Sequence, residues 1–247
     1  MILLLLPHQD DEFGALGIIH RAVHNGLDLL AVYLTDGAGN GVAPAVRNRE
    51  SLRVLSALGV RRNRIWFLGE EQGSPDGYLI FNLSKMLSAL SGYLPPTVAE
   101  IYSPAWEGGH QDHDACALLA VTLGQRLDRP VFQFPLYNAY RCAALPFALF
   151  NPVVEQGPIL RKGRMRGLSM VRHYGSQRHV FAVAAPFLTW HWLHGAPQFC
   201  QRLTPDVVSR RPHDGPLLYE RRRRLSFEEF EASARLLASA SRPRPAA

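Results

Sequence analysis

Two short clusters of acidic and imidazole side chains are the residues of this sequence best suited to chemistry. The first occupies residues 8–12 (HQDDE) and directly follows an apolar run at residues 2–6. The second occupies residues 110–113 (HQDH) and follows an apolar run at residues 98–103. A helical pattern follows each cluster. Parallel α/β sheets bind ligands at the carboxyl ends of their strands, so the pattern predicts a site where two strand ends meet.

The residue types fit a catalytic metal site. Catalytic zinc commonly takes two histidines and one carboxylate and keeps a fourth position for water. His8, Asp11 and His113 supply this set, because His8 and Asp11 lie three residues apart in one turn and His113 comes from the neighbouring strand end. Zn²⁺ is therefore the predicted cofactor. Another divalent ion is the alternative, since the same donors accept several metals.

The other polar residues of the two clusters have predicted catalytic roles around this metal. Asp10 is predicted to take a proton from the activated water as general base. His110 is predicted to stabilise an oxyanion or to protonate the leaving amine. Asp112 is predicted to accept a hydrogen bond from a histidine and so to define its tautomer.

Each cluster has a simpler explanation when it is considered by itself. Acidic residues at positions 10–12 suit the first turn of any helix, because they oppose the positive end of its dipole. His110 and His113 suit a solvated loop. The coincidence of two acid–histidine clusters, each at a strand-to-helix junction of one sheet, favours the metal site.

Apolar runs and helical patterns alternate along the first 135 residues. Strands are predicted at 2–6, 27–35, 65–68, 98–103 and 131–134, and helices at 13–23, 45–58, 79–94 and 112–127. Continuously apolar strands are typical of a parallel sheet that is covered on both faces. We therefore predict an α/β fold with a Rossmann-like, mostly parallel sheet, helices on both faces and an irregular C-terminal elaboration.

The domain organisation follows from where this alternation stops. Residues 1–135 are predicted to form the catalytic core, and residues 136–240 to complete the same domain and shape the substrate site. Within that second part, helices are predicted at 162–174 and towards the C-terminus, within 217–240. Residues 241–247 are predicted to be a disordered tail.

Composition limits the partners and the compartment. No apolar run reaches the length of a membrane span, and three widely spaced cysteines predict a reducing, cytoplasmic compartment. The net charge of +6 comes almost entirely from arginine, which favours an anionic partner such as a phosphate-bearing substrate. Ordinary solvated arginines are the simpler explanation. The arginine run 221–224 is flanked by acids and is predicted to be solvated, without a nucleic-acid partner. The oligomeric state is left open.

The two clusters resemble the motifs of a known enzyme family. HQDDE resembles the H-x-D-D-E motif of the PIG-L/LmbE-like zinc deacetylases, with Gln9 where proline is common, and HQDH resembles their H-x-D-H motif. Those enzymes hydrolyse the N-acetyl group of glucosamine-containing glycolipids, thiol-precursor glycosides, antibiotic intermediates and chitooligosaccharides on a Rossmann-like fold. The resemblance implies the same three metal ligands and the same general base, with His110 assisting.

Shorter matches imply substrate contacts. Thr35-Asp36-Gly37 resembles the family's T-D-G element, residues 47–60 resemble its R-x-x-E…L-G-V segment, and residues 174–177 resemble its Y/H-x-S-Q element. The implied contacts are Asp36, Arg47, Tyr174 and Gln177. An alternative role for Arg47 is to brace the site through Glu50.

The predicted function is zinc-dependent hydrolysis of the N-acetyl group of an amino sugar or glycoconjugate, which releases acetate and a free amine. A phosphate or lipid linkage of that sugar is left open. One alternative is an amidase that removes another acyl group or a thiol conjugate. The other is a non-catalytic sugar or nucleotide-sugar binding protein.

Overall fold

One mixed sheet forms the centre of the protein. The computed structural model describes residues 1–136, 156–160, 170–182, 185, 189 and 198–241. The strands within these residues are β1 (Ile2–Leu6), β2 (Leu29–Tyr33), β3 (Ile65–Trp66), β4 (Glu100–Pro104), β5 (Val131–Phe134), β6 (Gln156–Leu160) and β7 (Gln198–Arg202).

The strand order is β3-β2-β1-β4-β5-β7-β6. The first five strands of the chain run parallel, whereas β7 is antiparallel to β5 and β6 is antiparallel to β7. The chain moves outward from β1 to β3 and then returns to place β4 on the other side of β1. The topological switch point therefore lies between β1 and β4, the two strands that precede the histidine clusters. The predicted fold class is confirmed.

Helices cover both faces of this sheet. They are α1 (Leu16–His24), α2 (Pro44–Ala57), α3 (Leu68–Glu71), α4 (Leu79–Tyr93), α5 (Gln111–Leu127), α6 (Pro205–Val208), α7 (Leu218–Arg221) and α8 (Phe227–Ser241). Short 3₁₀ turns occupy Asp11–Ala15, Gly39–Gly41, Arg62–Arg64, Val171–His173 and Gly175–Gln177.

The alternation of side chains along β1 divides the core into two layers. Leu3 and Leu5 pack in the layer that includes α4, α5 and α8, whereas Ile2, Leu4 and Leu6 pack in the layer that includes α1 and α2. Every residue of β1 is at most 3% exposed. A strand that is buried on both faces has no polar side, which explains its continuous apolar sequence.

The third strand is shorter than the sequence predicts. The prediction of a strand over 65–68 is wrong at its end, because β3 stops at Trp66 and α3 begins at Leu68. This turn of helix brings Gly69 against the backbone of Thr35, where a Cβ atom on Gly69 would lie 2.3 Å from the Thr35 nitrogen. The single helical turn therefore redirects the chain towards the carboxyl edge of the sheet.

The C-terminal part differs from the sequence-based prediction in three places. The predicted helix over 162–174 does not reach its expected end, because Val171–His173 is a 3₁₀ turn, and residues 162–169 lie outside the described residues. The predicted terminal helix corresponds to α8, but a short helix that the sequence did not predict, α7, precedes it, and in the turn between them Arg223 has a left-handed φ of 53°. Ser241 ends α8, and the rest of the predicted tail lies outside the described residues.

The domain boundaries stay a prediction, although β7 joins the C-terminal part to the same sheet. In the described part of the chain, no helix combines the length and the apolarity that crossing a membrane requires. The predicted cytoplasmic location likewise stays a prediction.

The contact between Gly69 and Thr35 generates a stability prediction. Gly69→Ala should lower the free energy of unfolding by about 1–3 kcal/mol, because the added methyl group overlaps backbone atoms that cannot rotate away. Denaturant unfolding measures this change. Gly92→Ala is the matched control, since Gly92 lies in α4 with nothing within 4 Å of its Cβ position. The control should gain about 0.5–1 kcal/mol. Equal effects in the two variants would contradict the close approach at Gly69.

Candidate metal centre

The two histidine clusters meet at the carboxyl edge of the sheet. β1 and β4 are hydrogen-bonded neighbours, with Leu4 opposite Tyr102, so their ends lie side by side. His8 follows β1 in a tight turn in which the Asp10 and Asp11 amides donate to the His8 carbonyl. His113 lies in the first turn of α5, where its amide donates to the carbonyl of His110.

Two ring nitrogens and the two oxygens of one carboxylate face one another in the predicted ligand set. The Nδ1 atom of His8 lies 3.3 Å from Oδ2 of Asp11 and 3.3 Å from Nε2 of His113. The Nε2 atom of His113 lies 3.2 Å from Oδ1 of Asp11. Tetrahedral zinc with ligands at about 2.0–2.1 Å separates its ligand atoms by about 3.3 Å. The spacing and the donor chemistry of these residues therefore fit a zinc ion.

Asp112 decides which nitrogen of His8 faces this centre. Its carboxylate is fully buried and accepts hydrogen bonds from the backbone amides of Gly77 at 2.6 Å and Leu79 at 3.0 Å. The Nε2 atom of His8 lies 3.1 Å from the same carboxylate. An Nε2–H that donates to Asp112 leaves the lone pair on Nδ1 for a metal ion. This is the geometry expected of the predicted tautomer-defining residue.

Two groups of potential metal ligands among the described residues have atoms that all lie within 4.8 Å of one another, and neither group includes Asp11. One contains His8, His110 and His113, and the other contains His8, Asp76 and Asp112. The second group would require Asp112 to abandon hydrogen bonds that it already accepts. In the first group, Nδ1 of His110 already accepts from the Asp112 amide at 3.2 Å. The set of His8, Asp11 and His113 leaves these hydrogen bonds of Asp112 and His110 in place.

The charges at the centre are strongly coupled. Burial would raise the pKa of Asp11, but His113 and His8 outweigh it and hold that pKa far below its ordinary value. Burial would lower the pKa of His8, but Asp76 and Asp11 raise it well above the ordinary value. The centre therefore favours positive charge among its carboxylates, and a divalent cation that binds here displaces the proton of His8.

Asp10 is held beside the ligands by Arg47. Nη2 of Arg47 lies 3.1 Å from Oδ1 of Asp10 and donates to the carbonyl of Gln9 at 2.8 Å, while Nη1 donates to the carbonyl of Gly37 at 3.0 Å. Burial raises the pKa of Asp10, and the Arg47 guanidinium partly opposes that rise. Asp10 is therefore a carboxyl group with increased proton affinity and a defined orientation.

Glu50 does not brace Arg47. Its carboxylate accepts hydrogen bonds from the backbone amide of Ser176 at 2.9 Å and from the Ser176 hydroxyl at 2.6 Å. The alternative role of Arg47 therefore has a different physical basis from the one the sequence suggested. Arg47 braces the turn that carries Asp10 directly, through backbone carbonyls.

Asp36 organises the loop beside the centre. Its Oδ1 atom accepts from the backbone amides of Ala38 at 2.9 Å and Asp76 at 3.0 Å. This fixes Asp76, whose Oδ1 lies 3.4 Å from Nε2 of His8. Sequence reasoning missed Asp76, and the available signal was its place in a glycine-rich loop at the same sheet edge. The predicted substrate contact of Asp36 stays a prediction.

Tyr174 and Gln177 are buried next to the centre. The Tyr174 ring is 1% exposed and its hydroxyl donates to Oε1 of Glu12 at 2.8 Å. Burial raises the pKa of Glu12 to about 7, while the hydrogen bond from Tyr174 opposes the rise. Gln177 is 3% exposed. Tyr174 attaches the segment 170–182 to the core. The predicted contact of each residue with substrate stays a prediction.

Arg224 lies closer to the centre than the sequence indicated. The run 221–224 is exposed, as predicted for solvated arginines, but Nη1 of Arg224 is 3.0 Å from Nε2 of His110. Burial lowers the pKa of His110, and the charges of His8 and His113 lower it further. No local pattern signals the contact, because 114 residues separate the two side chains.

The hydrogen bonds of Asp112 generate a prediction for metal affinity. Asp112→Asn should weaken zinc binding by about 10–100-fold, because an amide cannot accept from both the Gly77 amide and His8 with the strength of a carboxylate. Competition with a chelator measures the affinity. His113→Ala should lose the metal outright. Asp206→Asn, at an exposed position on α6, is the control and should bind like the unmodified protein. Full occupancy in His113→Ala would remove this residue from the ligand set.

A known protein family matches the part of the chain that forms the candidate metal centre. The family model described as PIG-L, GlcNAc-PI de-N-acetylase, matches residues 3–123. This segment contains both histidine clusters. No curated protein sequence matches the chain.

Solved structures share the fold. The conserved protein TT1542 from Thermus thermophilus is 23% identical, with a TM-score of 0.56 over 83% of this chain and 94% of its own. The N,N'-diacetylchitobiose deacetylase from Pyrococcus horikoshii is 17% identical, with a TM-score of 0.58 over 83% and 86% of the two chains.

A deacetylase of the teicoplanin biosynthetic pathway is also 17% identical, with a TM-score of 0.56 over 81% of this chain and 96% of its own. At these identities the structural likeness concerns the fold, and the family match concerns the segment that carries the metal centre. That match confirms the predicted family and the predicted enzyme class, a deacetylase. Residues 3–123 of this chain match the PIG-L family of de-N-acetylases.

Proposed function

We propose that this protein hydrolyses the N-acetyl group of an amino sugar or glycoconjugate with zinc as its cofactor. The observation that carries the proposal is the 3.2–3.3 Å spacing that links Nδ1 of His8, Nε2 of His113 and the two carboxylate oxygens of Asp11. The family match supports the reaction type. The zinc and the identity of the sugar are parts of the proposal.

The three ligand residues would hold the ion through two nitrogens and one carboxylate. When bound, zinc supplies Lewis-acid polarisation of the acetyl carbonyl and lowers the pKa of a water molecule. The His8 side chain keeps its orientation because Asp112 accepts from its other nitrogen. The protein thus provides an ordered centre before substrate arrives.

Asp10 acts as the general base in this proposal. Its carboxylate takes one proton from water as the water oxygen forms a bond to the acetyl carbon. The contact with Arg47 keeps the carboxylate in place, and burial increases its proton affinity. Protonated Asp10 then returns the proton to the amide nitrogen as the C–N bond breaks. Acetate and a free amine leave, so one water is consumed for each bond cleaved.

His110 stabilises the negative charge that develops on the carbonyl oxygen. Its ring centroid lies 4.7 Å from that of His8 and 5.4 Å from that of His113, so it borders the centre. The same pKa depression that burial produces keeps this imidazole neutral. A neutral imidazole that presents an N–H group provides a donor to the oxyanion without a competing proton transfer.

The reaction can be tested with a substrate panel. Zinc-loaded protein is incubated with N-acetylglucosamine as the free sugar, a nucleotide conjugate, a lipid conjugate and a simple glycoside, and released amine is measured. Asp10→Asn should reduce turnover by about 10²–10⁴-fold, because it removes the general base. Asp28→Asn, at a surface ion pair, is the control and should keep full activity.

Metal content is measured in all variants so that loss of zinc is not mistaken for loss of the base. Near-normal turnover by zinc-loaded Asp10→Asn would exclude Asp10 as the base. Release only from substrates with a larger acyl group would indicate the amidase alternative. Binding without release from any substrate would indicate the non-catalytic sugar-binding alternative.

A further inference from the structure

Arg224 reaches the metal centre through a C-terminal turn that is firmly attached to the core. The backbone amide of Leu218 donates to the carbonyl of Gly108 at 2.8 Å, and the Leu217 side chain covers Gly108 so closely that a Cβ there would lie 2.6 Å from it. The amide of Arg224 donates to the carbonyl of Tyr219 at 3.0 Å and closes the turn after α7. The loop that leads into His110 therefore positions Arg224.

The contact between Arg224 and His110 contains a conflict between donors. Guanidinium groups only donate, and a neutral imidazole accepts at one nitrogen only. Yet Nε2 of His110 faces Nη1 of Arg224 at 3.0 Å, while Nδ1 faces the backbone N–H of Asp112 at 3.2 Å. One of the two donors therefore always lacks a good acceptor.

An anion beside this contact that accepts from both Arg224 and His110 would remove the conflict. If His110 carries its proton on Nε2, then Nδ1 accepts from the Asp112 amide. Nε2–H and the guanidinium both then point donors at the same space. The ion pairs found among the described residues do not include Arg224, so its charge is not neutralised by a carboxylate there.

The location selects the anion. His110 borders the rings of His8 and His113. In the proposed reaction, the acyl group lies beside the ion that these two histidines would hold. The negative oxygen nearest to His110 is therefore the one formed from the acetyl carbonyl. The Arg224 side chain is exposed, so its contact with His110 borders solvent.

We propose that Arg224 and His110 together bind the oxygen of the acetyl group, first as the oxyanion of the tetrahedral intermediate and then as the carboxylate of acetate. This inference rests on the proposed deacetylase function. Arg224 adds a second, charge-assisted donor to the one that His110 provides. It is a further catalytic residue, supplied by the C-terminal part of the chain.

The test is acetate binding to the zinc-loaded protein, measured by calorimetry or by broadening of the ¹³C-acetate signal. Arg224→Gln should weaken acetate binding about tenfold, the effect expected when a hydrogen bond to a charged group is lost. Arg222→Gln is the matched control, because it removes the same charge from the same exposed turn and should bind acetate normally. Arg224→Lys keeps the charge and should retain part of the affinity.

Two further measurements, turnover and phosphate binding, show whether Arg224 binds the acetyl oxygen or an anionic group elsewhere on the substrate. On an active substrate, Arg224→Gln should lower kcat with little change in KM, because the oxyanion exists only in the transition state. Inorganic phosphate serves as the probe for an anionic group elsewhere on the substrate. Loss of phosphate binding with unchanged acetate binding would overturn the proposal, as would equal acetate affinity in Arg224→Gln and Arg222→Gln.

The acetate-binding experiment and the substrate panel can fail independently of each other. If no panel member is hydrolysed but acetate affinity still depends on Arg224, then the anion site stands and the substrate class fails. If amine is released normally by Arg224→Gln and acetate binds it normally, then the deacetylase function stands and Arg224 has no part in it.

Discussion

The parallel pairing of β1 with β4 is the constraint on which the metal centre depends. His8 and His113 are 105 residues apart in the chain, yet their ring nitrogens lie 3.3 Å apart. This proximity exists because the chain leaves β1 in one direction and returns to place β4 on its other side. Helices cannot cover the gap between strand ends where the chain reverses, so polar side chains from two turns share one depression.

Burial of charge then determines how the polar residues are arranged. A carboxylate or guanidinium removed from water costs several kcal/mol unless partners compensate it. Asp112 is compensated by two backbone amides and His8, and Arg47 by two carbonyls and Asp10. Each buried charge therefore orients a neighbour that could take part in catalysis. The same contacts that make burial tolerable also preorganise the centre.

The C-terminal segments attach to this core at a few polar points. Tyr174 binds Glu12, Ser176 binds Glu50, and the Trp106 indole donates to the carbonyl of Arg210 at 2.9 Å. These contacts attach segments from the C-terminal part of the chain to a core that is built from the first 135 residues. The residues of the core would thus perform the chemistry, and the later segments add charged and aromatic side chains next to them.

Much of the fold could be predicted from local sequence patterns. Continuous apolar runs predicted the parallel strands, and acidic residues with histidines at two strand ends predicted which side chains meet at the sheet edge. These features are local, since a strand that is buried on both faces must be apolar and a turn of four residues brings His8 and Asp11 together by itself. The end of β3 was predicted incorrectly because the packing of Gly69 on Thr35 overrides the apolar pattern.

Only the tertiary structure decided the contacts between distant residues. The role of Asp112 at His8, the approach of Asp76, the pairing of Glu50 with Ser176 and the position of Arg224 at His110 depend on how loops dock at the sheet edge. In the sequence, Arg224 is one of four consecutive arginines, and nothing local distinguishes it from the other three. What distinguishes it is its position after α7: the start of α7 packs on Gly108, and the turn that follows directs the Arg224 guanidinium to His110. Such selection arises from packing between segments, and residue type and spacing do not encode it.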